Sequence, residues 1–95
     1  MKLRVRDGET LINLEDFERV KQYNWFIDPG TQYVKAIVDL DTGYGETGII
    51  SMHQLIAGFP EGPVHHKNKD RRDNRRCNLK VMSHKEHVRL HRKKI

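Results

Sequence analysis

Hydrophobic and polar residues alternate at the start of the chain, and this period of two is typical of strands. Leu3 and Val5 alternate with charged neighbours between residues 2 and 6, which predicts a short strand. An Asp-Gly pair then marks a turn. Residues 10–13 follow as a predicted second strand, so we expect the chain to begin with two short strands.

The spacing of apolar residues changes to three after this point. Leu14, Phe17 and Val20 place apolar side chains on one face of a short amphipathic helix. The predicted helix covers residues 14–23, and Asn13 is its predicted N-cap. The Trp-Phe-Ile run that follows is interpreted as a set of core anchors rather than as a platform for stacking bases.

The middle of the chain predicts two further strands and a short helix. β-Branched residues dominate 33–40, and an apolar run returns at 49–52, so both segments are predicted strands. Residues 41–48 between them contain three glycines and are the predicted hairpin loop. Residues 53–57 are a predicted helix that ends at Gly58.

The last third predicts a strand, a loop, a strand and a helix. Residues 64–66 and 79–82 are predicted to pair as strands across a polar loop over 67–78, whose Asp and Asn side chains can bond to the backbone. Ser83 and Glu86 form a capping box, which predicts that a helix begins there. The predicted fold class is therefore α+β: a small antiparallel N-terminal sheet with short helices, followed by a strand–loop–strand–helix unit.

The length of 95 residues suits one domain with one modest core. We expect a single domain in which residues 1–60 support a unit formed by residues 61–95. No apolar run approaches the roughly 20 residues that span a bilayer, and the N-terminus lacks the apolar stretch of a signal peptide. We therefore expect a cytoplasmic protein with no membrane partner. Cys77 is the only cysteine, which excludes an internal disulfide and a four-cysteine zinc site.

Charge is distributed unevenly along the chain. Residues 1–66 carry six Lys and Arg against ten Asp and Glu, whereas residues 67–95 carry twelve against three. A strongly basic segment of this kind is typical of proteins that bind a phosphate backbone. The alternative is a solvated basic tail, but the basic residues cluster around the histidines. The predicted phosphate contacts are Arg71, Arg72, Arg75, Arg76, Lys80 and Lys85.

Five of the six histidines lie within or just before this basic segment. His87 and His91 are four residues apart, so a helix places them on one face. Together with His65 they are predicted to hold a divalent metal and leave positions open for water and a phosphate oxygen. His66 is the predicted general base outside the coordination shell. Asn78, in the loop, is predicted to brace the hairpin and to orient His66 through hydrogen bonds. Adjacent strand residues face opposite sides, so the strand must end or distort at the histidine pair.

Each of these signals also has an ordinary structural interpretation. His53 is interpreted as surface or core filler, and His84 as an exposed residue in the first turn of a helix. The pair His87 and His91 is by itself a weak sign of metal binding. Asn78 alone does not indicate any function. The combination of both histidine pairs with the basic loop favours a metal site.

The same residues resemble a known family. The spacing His65-His66, Asn78, His87 and His91 is similar to the ββα-metal motif of the HNH endonuclease family, in the histidine-rich form of bacterial DNase toxins. The segments MHQLIAGFPEG, RRDNRRCNL and HKEHVRLH resemble small phage and intron-encoded homing-type members. INLEDFERVKQYNW and YVKAIV resemble the N-terminal part of such proteins, so the resemblance covers nearly the whole chain.

The resemblance implies a catalytic ββα-metal motif over residues 61–95. It implies a general base at His66, metal ligation by His65 and His87, and a structural or orienting Asn78, while His91 carries over from the toxin-like form. Many homing-type members have aspartate in place of His65 and asparagine in place of His87. An all-imidazole set favours softer ions over magnesium, so the expected cofactor is one divalent ion among Mg²⁺, Mn²⁺, Zn²⁺ and Ni²⁺.

The expected function is that of a metal-dependent endonuclease, a monomer or homodimer, that nicks or cleaves double-stranded DNA. The alternative is a non-catalytic DNA-binding module that keeps the metal as a structural staple. A toxin-like nuclease held in check by an acidic partner is a third and more remote option. Duplex DNA is preferred over RNA because the sequence shows no aromatic-rich surface of the kind that single-strand binders use.

Overall fold

The structure, a computed structural model, describes residues 1–82. The predicted helix from Ser83 onward lies outside the described residues, together with His84, Lys85, His87 and His91. Short 3₁₀ turns at Leu14–Asp16 and Arg76–Asn78 accompany the regular elements. In chain order the regular elements are β1 (Lys2–Val5), β2 (Gly8–Leu11), α1 (Phe17–Val20), β3 (Trp25–Ile27), β4 (Val34–Asp39), β5 (Thr47–Ser51), α2 (Met52–Ile56), β6 (Val64–His66) and β7 (Leu79–Val81).

β1 and β2 form an N-terminal hairpin in which Leu3 lies opposite Thr10. β2 begins at Gly8, two residues before the predicted start, because the turn takes only the two residues that precede this glycine. A Cβ atom on Gly8 would lie 2.7 Å from Ile27 Cδ1. The missing side chain therefore lets β3 approach the hairpin closely.

No helix among residues 1–82 is long and apolar enough to cross a membrane.

The helix predicted over residues 14–23 is shorter and begins differently. Val20 is fully buried as its spacing predicts, but Leu14 is 74% exposed, so its predicted place on the buried face is wrong. Asn13 makes no side-chain cap. Its Oδ1 instead accepts a hydrogen bond from Arg76 N at 2.7 Å. The polar loop therefore takes the oxygen that was expected to cap the helix.

The predicted single N-terminal sheet is two sheets, because β3, β4 and β5 form a separate three-stranded antiparallel sheet. Trp25 and Ile27 on β3 are buried, which confirms them as core anchors, and the Trp25 indole donates to Val20 O at 2.7 Å. One cluster of buried apolar side chains joins the hairpin, both helices and this sheet: Val5, Ile12, Val20, Trp25, Ile27, Val34, Ala36, Met52, Leu55 and Ile56.

β6 and β7 pair antiparallel with His66 opposite Leu79, as the sequence predicts. Their connecting loop returns to the N-terminal hairpin. Leu11 N donates to Arg72 O, and Asn74 N donates to Leu11 O, both at 2.8 Å. The fold is thus α+β, with small antiparallel sheets and short helices. The N-terminal hairpin lies directly beside the loop that carries Asn78 and the four arginines among the predicted phosphate contacts.

Candidate functional site

His66 is the last residue of β6, so the strand ends at the histidine pair. Its Nε2 atom lies 2.8 Å from Asn74 Oδ1. Its ring centroid lies 4.9 Å from that of His53 and 5.9 Å from that of Tyr33. The His66 ring is therefore held by one hydrogen bond and two neighbouring rings, while the residue stays partly exposed.

His53 lies behind His66 and stacks on Tyr33, with ring centroids 5.0 Å apart. The residue is 6% exposed, so of the two predicted locations, surface and core, His53 occupies the core. Burial, followed by the proximity of His66 and Lys35, lowers the pKa of His53 to about 4. The imidazole is therefore neutral near pH 7. Its contact with the candidate base is a feature that the sequence interpretation did not include.

Asn74 connects His66 to the N-terminal hairpin and is fully buried. Its Nδ2 atom donates to Thr10 Oγ1 at 2.9 Å and approaches Met52 Sδ at 3.5 Å. Thr10 Oγ1 in turn donates to Arg72 O at 2.7 Å. A continuous chain of hydrogen bonds therefore runs from the loop backbone through Thr10 and Asn74 to the His66 ring.

Asn78 holds the loop together, and its side chain does not bond to His66. Asn78 Oδ1 accepts a hydrogen bond from Asn68 N at 3.0 Å, and Asn78 Nδ2 donates to Asn68 Oδ1 and Asp73 O, each at 2.9 Å. The hydrogen bond to His66 that was expected from Asn78 is made by Asn74 instead. Asn78 therefore sets the shape of the loop, and Asn74 contacts the ring.

Two of the four loop arginines pair with buried carboxylates. Arg75 Nε and Nη2 bind the two oxygens of Asp73 at 2.8 and 2.7 Å, and Arg76 Nη2 binds Asp16 Oδ1 at 2.6 Å. Hydrogen bonds to these carboxylates raise the pKa of both guanidinium groups, and the hydrogen bonds from Arg75 lower the pKa of Asp73. These two arginines tie the loop to the fold, and the pairing partly neutralises their charge.

The other predicted phosphate contacts within residues 1–82 form no ion pair with a carboxylate of that part. The Arg71 guanidinium lies 4.7 Å from the Tyr33 ring centroid, and Arg72 Nη2 donates to Gln32 Oε1 at 2.7 Å. Lys80 is exposed on β7. Because Tyr33 also contacts the His66 ring, Arg71 brings an exposed cation close to the candidate base.

A sequence model of the HNH endonuclease family matches residues 54–89, which include the histidine pair, the polar loop and β7. This segment is therefore similar to the HNH endonuclease family. No curated protein and no solved structure matches the chain. Thr10, Tyr33 and His53 lie before the matched segment. Tyr33 and His53 therefore contact the His66 ring from outside the matched segment, and Thr10 contacts Asn74.

The HNH family typically uses a divalent metal ion. Within residues 1–82, no group of three or more His, Cys, Asp or Glu side chains could hold a metal. His65 is the one predicted ligand in this part, partly buried on β6, whereas His87 and His91 lie outside it. The predicted metal ligands therefore lie partly outside the described residues.

Sequence reasoning missed Asn74, Tyr33 and His53 as neighbours of His66, and Thr10 as the partner of Asn74. Asn74 is one of several Asp and Asn residues in the loop, and no local pattern sets it apart. Thr10 offered a signal, because it has the same parity as the buried Ile12 in a segment predicted as a strand. A buried hydroxyl requires a hydrogen-bond partner, so this parity pointed to a polar contact without revealing which residue makes it.

Proposed function

We propose that this protein is a metal-dependent HNH endonuclease that nicks or cleaves double-stranded DNA. The observation that carries the proposal is the setting of His66 inside the matched HNH segment. Its imidazole is fixed by the buried Asn74 and by two rings, yet it stays partly exposed at the end of a strand. Imidazole transfers protons near neutral pH, and a general base must be held in a defined orientation.

In this mechanism His66 takes a proton from the water that attacks phosphorus. Asn74 keeps the imidazole oriented, while His53 and Tyr33 shield part of the ring from solvent. Asn78 maintains the loop conformation that presents Asn74. His65, His87 and His91 are the side chains proposed to hold the divalent ion, which when bound would stabilise charge on the phosphate and the leaving oxygen.

The charges of the described residues indicate which cations contact DNA phosphates. Arg71, Arg72 and Lys80 are exposed and not paired with carboxylates of residues 1–82, so they are the better candidates there. Arg75 and Arg76 contribute less, since each is paired with a buried carboxylate. Lys85 remains a proposed contact outside the described residues. Phosphate contacts of this kind make affinity strongly dependent on salt.

The test of the function is nicking of supercoiled plasmid by purified protein with Mg²⁺, Mn²⁺, Zn²⁺ or Ni²⁺, and with EDTA. We expect nicking with at least one ion and none with EDTA. His66→Ala should lower the nicking rate by about 10²- to 10⁴-fold, since it removes the proton acceptor, while DNA binding in EDTA is retained. His84→Ala is the matched histidine control and should cut at the parental rate. Equal rates for His66→Ala and the parent protein would contradict the proposed mechanism.

The same experiment separates the proposal from the non-catalytic alternative. A DNA-binding module would bind duplex DNA with a steep salt dependence and cut with none of the four ions. Arg71→Gln and Arg76→Gln sharpen the binding test. The first should reduce the slope of log affinity against log salt by about one unit. The second should change that slope less, because Arg76 is paired with Asp16.

The proposal extends to a cytoplasmic protein of the phage or homing type that acts as a monomer or homodimer. One catalytic site per chain gives a nick, whereas a symmetric dimer places two sites on the duplex and can cut both strands. Sedimentation of the protein with and without DNA, compared with the ratio of nicked to linear plasmid, distinguishes these arrangements. A protein that is a monomer on DNA and produces linear plasmid in one encounter would contradict this relation between oligomeric state and the number of strands cut.

A further inference from the structure

A chain of hydrogen bonds leads from Arg72 O through Thr10 and Asn74 to the His66 ring. The contact farthest from the ring, between Thr10 and Arg72 O, determines which group donates at each step. Arg72 O is a backbone carbonyl and can only accept, so the Thr10 hydroxyl proton is directed to it. Thr10 Oγ1 is then left as an acceptor for its other neighbour, Asn74. The group of Asn74 that faces Thr10 must therefore be its NH₂.

Met52 favours the same orientation of the Asn74 amide. Its Sδ atom lies 3.5 Å from Asn74 Nδ2 and 3.8 Å from Thr10 Oγ1. A thioether sulfur is a weak acceptor and cannot donate. Reversing the amide would turn its carbonyl oxygen toward this sulfur and would require Thr10 to give up its bond to Arg72 O. All three residues are buried, so water is not present to compensate for the lost contacts.

With the amide in this orientation, the carbonyl oxygen of Asn74 faces His66 Nε2 at 2.8 Å. That nitrogen must then carry a hydrogen, since two acceptors at this distance would repel each other. A neutral imidazole has only one N–H, so its lone pair lies on Nδ1. Among residues 1–82 no side chain or backbone group bonds to His66 Nδ1.

We propose that Asn74 and Thr10 are positioning residues that fix His66 as the Nε2–H tautomer, so that Nδ1 is the atom that accepts the proton from water. This inference rests on the proposed nuclease function and names the reacting atom of the same site. Asn74 Oδ1 accepts the Nε2–H both before and after Nδ1 is protonated, so the ring keeps its orientation through proton transfer. Thr10 acts only through Asn74, from a hairpin outside the matched HNH segment.

The tautomer is measured directly by two-bond ¹H–¹⁵N correlation on protein labelled with ¹⁵N-histidine, in EDTA and at a pH of about 8.5, where histidine is ordinarily neutral. We expect one His66 species with a protonated Nε2 and an unprotonated Nδ1, and an Nε2 proton that exchanges slowly with water. A protonated Nδ1, or a mixture of tautomers as in an unconstrained imidazole, would overturn the proposal. Neither result depends on metal or on catalysis.

Thr10→Val tests the anchor of the chain, and Thr10→Ser is its matched control because serine keeps the hydroxyl. Thr10→Val should speed exchange of the Nε2 proton, let both tautomers appear, and lower kcat for nicking about tenfold or more with DNA affinity unchanged. Thr10→Ser should restore the slow proton and the rate. If Thr10→Val keeps one slow Nε2–H and full kcat, Thr10 does not position His66; if it does not fold, the parent spectrum still decides the tautomer.

The proposed nuclease function and the proposed positioning of His66 can be contradicted separately. A parent protein that shows the expected tautomer but nicks with none of the four ions overturns the nuclease function and the role of Nδ1 in it. A parent protein that nicks and depends on His66, but shows Nδ1–H, overturns only the positioning by Asn74 and Thr10.

Discussion

Two of the loops that join antiparallel strands within residues 1–82 are held in different ways. Residues 40–46 connect β4 to β5 through local bonds, with Leu40 N donating to Glu46 O at 2.9 Å and Thr42 N donating to Leu40 O at 2.8 Å. Residues 67–78 connect β6 to β7 and bond to residues far away in the sequence. Residues 40–46, the hairpin loop, have exposed side chains, whereas residues 67–78, the site loop, are hydrogen-bonded to the N-terminal hairpin β1–β2.

The difference shows that polar side chains give the site loop its shape. Asp73, Asn74 and Asn78 are buried, and no buried side-chain nitrogen or oxygen in residues 1–82 lacks a hydrogen-bond partner. The hairpin loop instead exposes its side chains, including Tyr44 at 85%, and turns through positive φ at two glycines. Buried polar groups stabilise a fold only when they are paired, so the site loop should be sensitive to single truncations.

The largest effect is expected for Asn78→Ala. This change removes three hydrogen bonds: the buried one to Asp73 O and the two part-buried ones to Asn68, whose residue is exposed. We expect the free energy of unfolding to fall by about 3 kcal/mol, since the unpaired buried carbonyl costs about 1–3 kcal/mol and each of the other bonds contributes about 0.5–1.5 kcal/mol. Urea unfolding in EDTA measures it. A loss below about 1 kcal/mol would mean that the loop is held mainly by its backbone.

The next effect is expected for Asp16→Ala, which breaks the ion pair between the 3₁₀ turn and the site loop. Asp16 is 1% exposed and Arg76 half exposed, so the arginine is partly solvated after its partner is removed. We therefore expect a loss of about 2 kcal/mol, less than for a fully buried pair. Glu15→Ala is the matched control, because this exposed carboxylate lies 3.6 Å from the same arginine. Its loss should stay below about 0.5 kcal/mol, and equal losses for the two variants would contradict the assignment.

The same contrast explains how much the sequence could predict. Strands β1, β4, β6 and β7 follow from local alternation and β-branched residues, and each lies within about one residue of its predicted position at most boundaries. Local patterns also identified His66 as a candidate base. The partner of its Nε2 depends on how a loop packs against a strand more than fifty residues earlier, and neither spacing nor composition records such a contact. The uncapped Asn13 has the same kind of cause, since Arg76 N donates to the Asn13 oxygen.

A smaller effect of pH comes from His53 behind the site. Its pKa is lowered to about 4 in the fold, so between about pH 6.5 and pH 4 the unfolded chain binds more protons than the folded one. Stability should therefore fall as pH falls, by about 1–2 kcal/mol between pH 7.5 and pH 5. His66 and Lys35 also contribute to the lowered pKa of His53, so the measured quantity is the difference between the parent and His53→Gln, in urea and EDTA. A His53→Gln variant that loses stability as steeply over this range would refute the buried neutral imidazole.

The smallest effect is expected in the hairpin loop, and it completes the comparison. Thr42→Ala removes a side-chain oxygen that accepts from Tyr44 N at 3.3 Å, the same type of contact that Asn78 makes with Asn68 N. Both ends of the Thr42 contact are exposed, so water replaces it, and the loss of stability should stay within about 0.5 kcal/mol. Urea unfolding of Thr42→Ala and Asn78→Ala under the same conditions gives the ratio of their losses in unfolding free energy. A comparable loss in the two variants would mean that burial does not distinguish the loops, and the account of the site loop as one fixed by its polar side chains would fail.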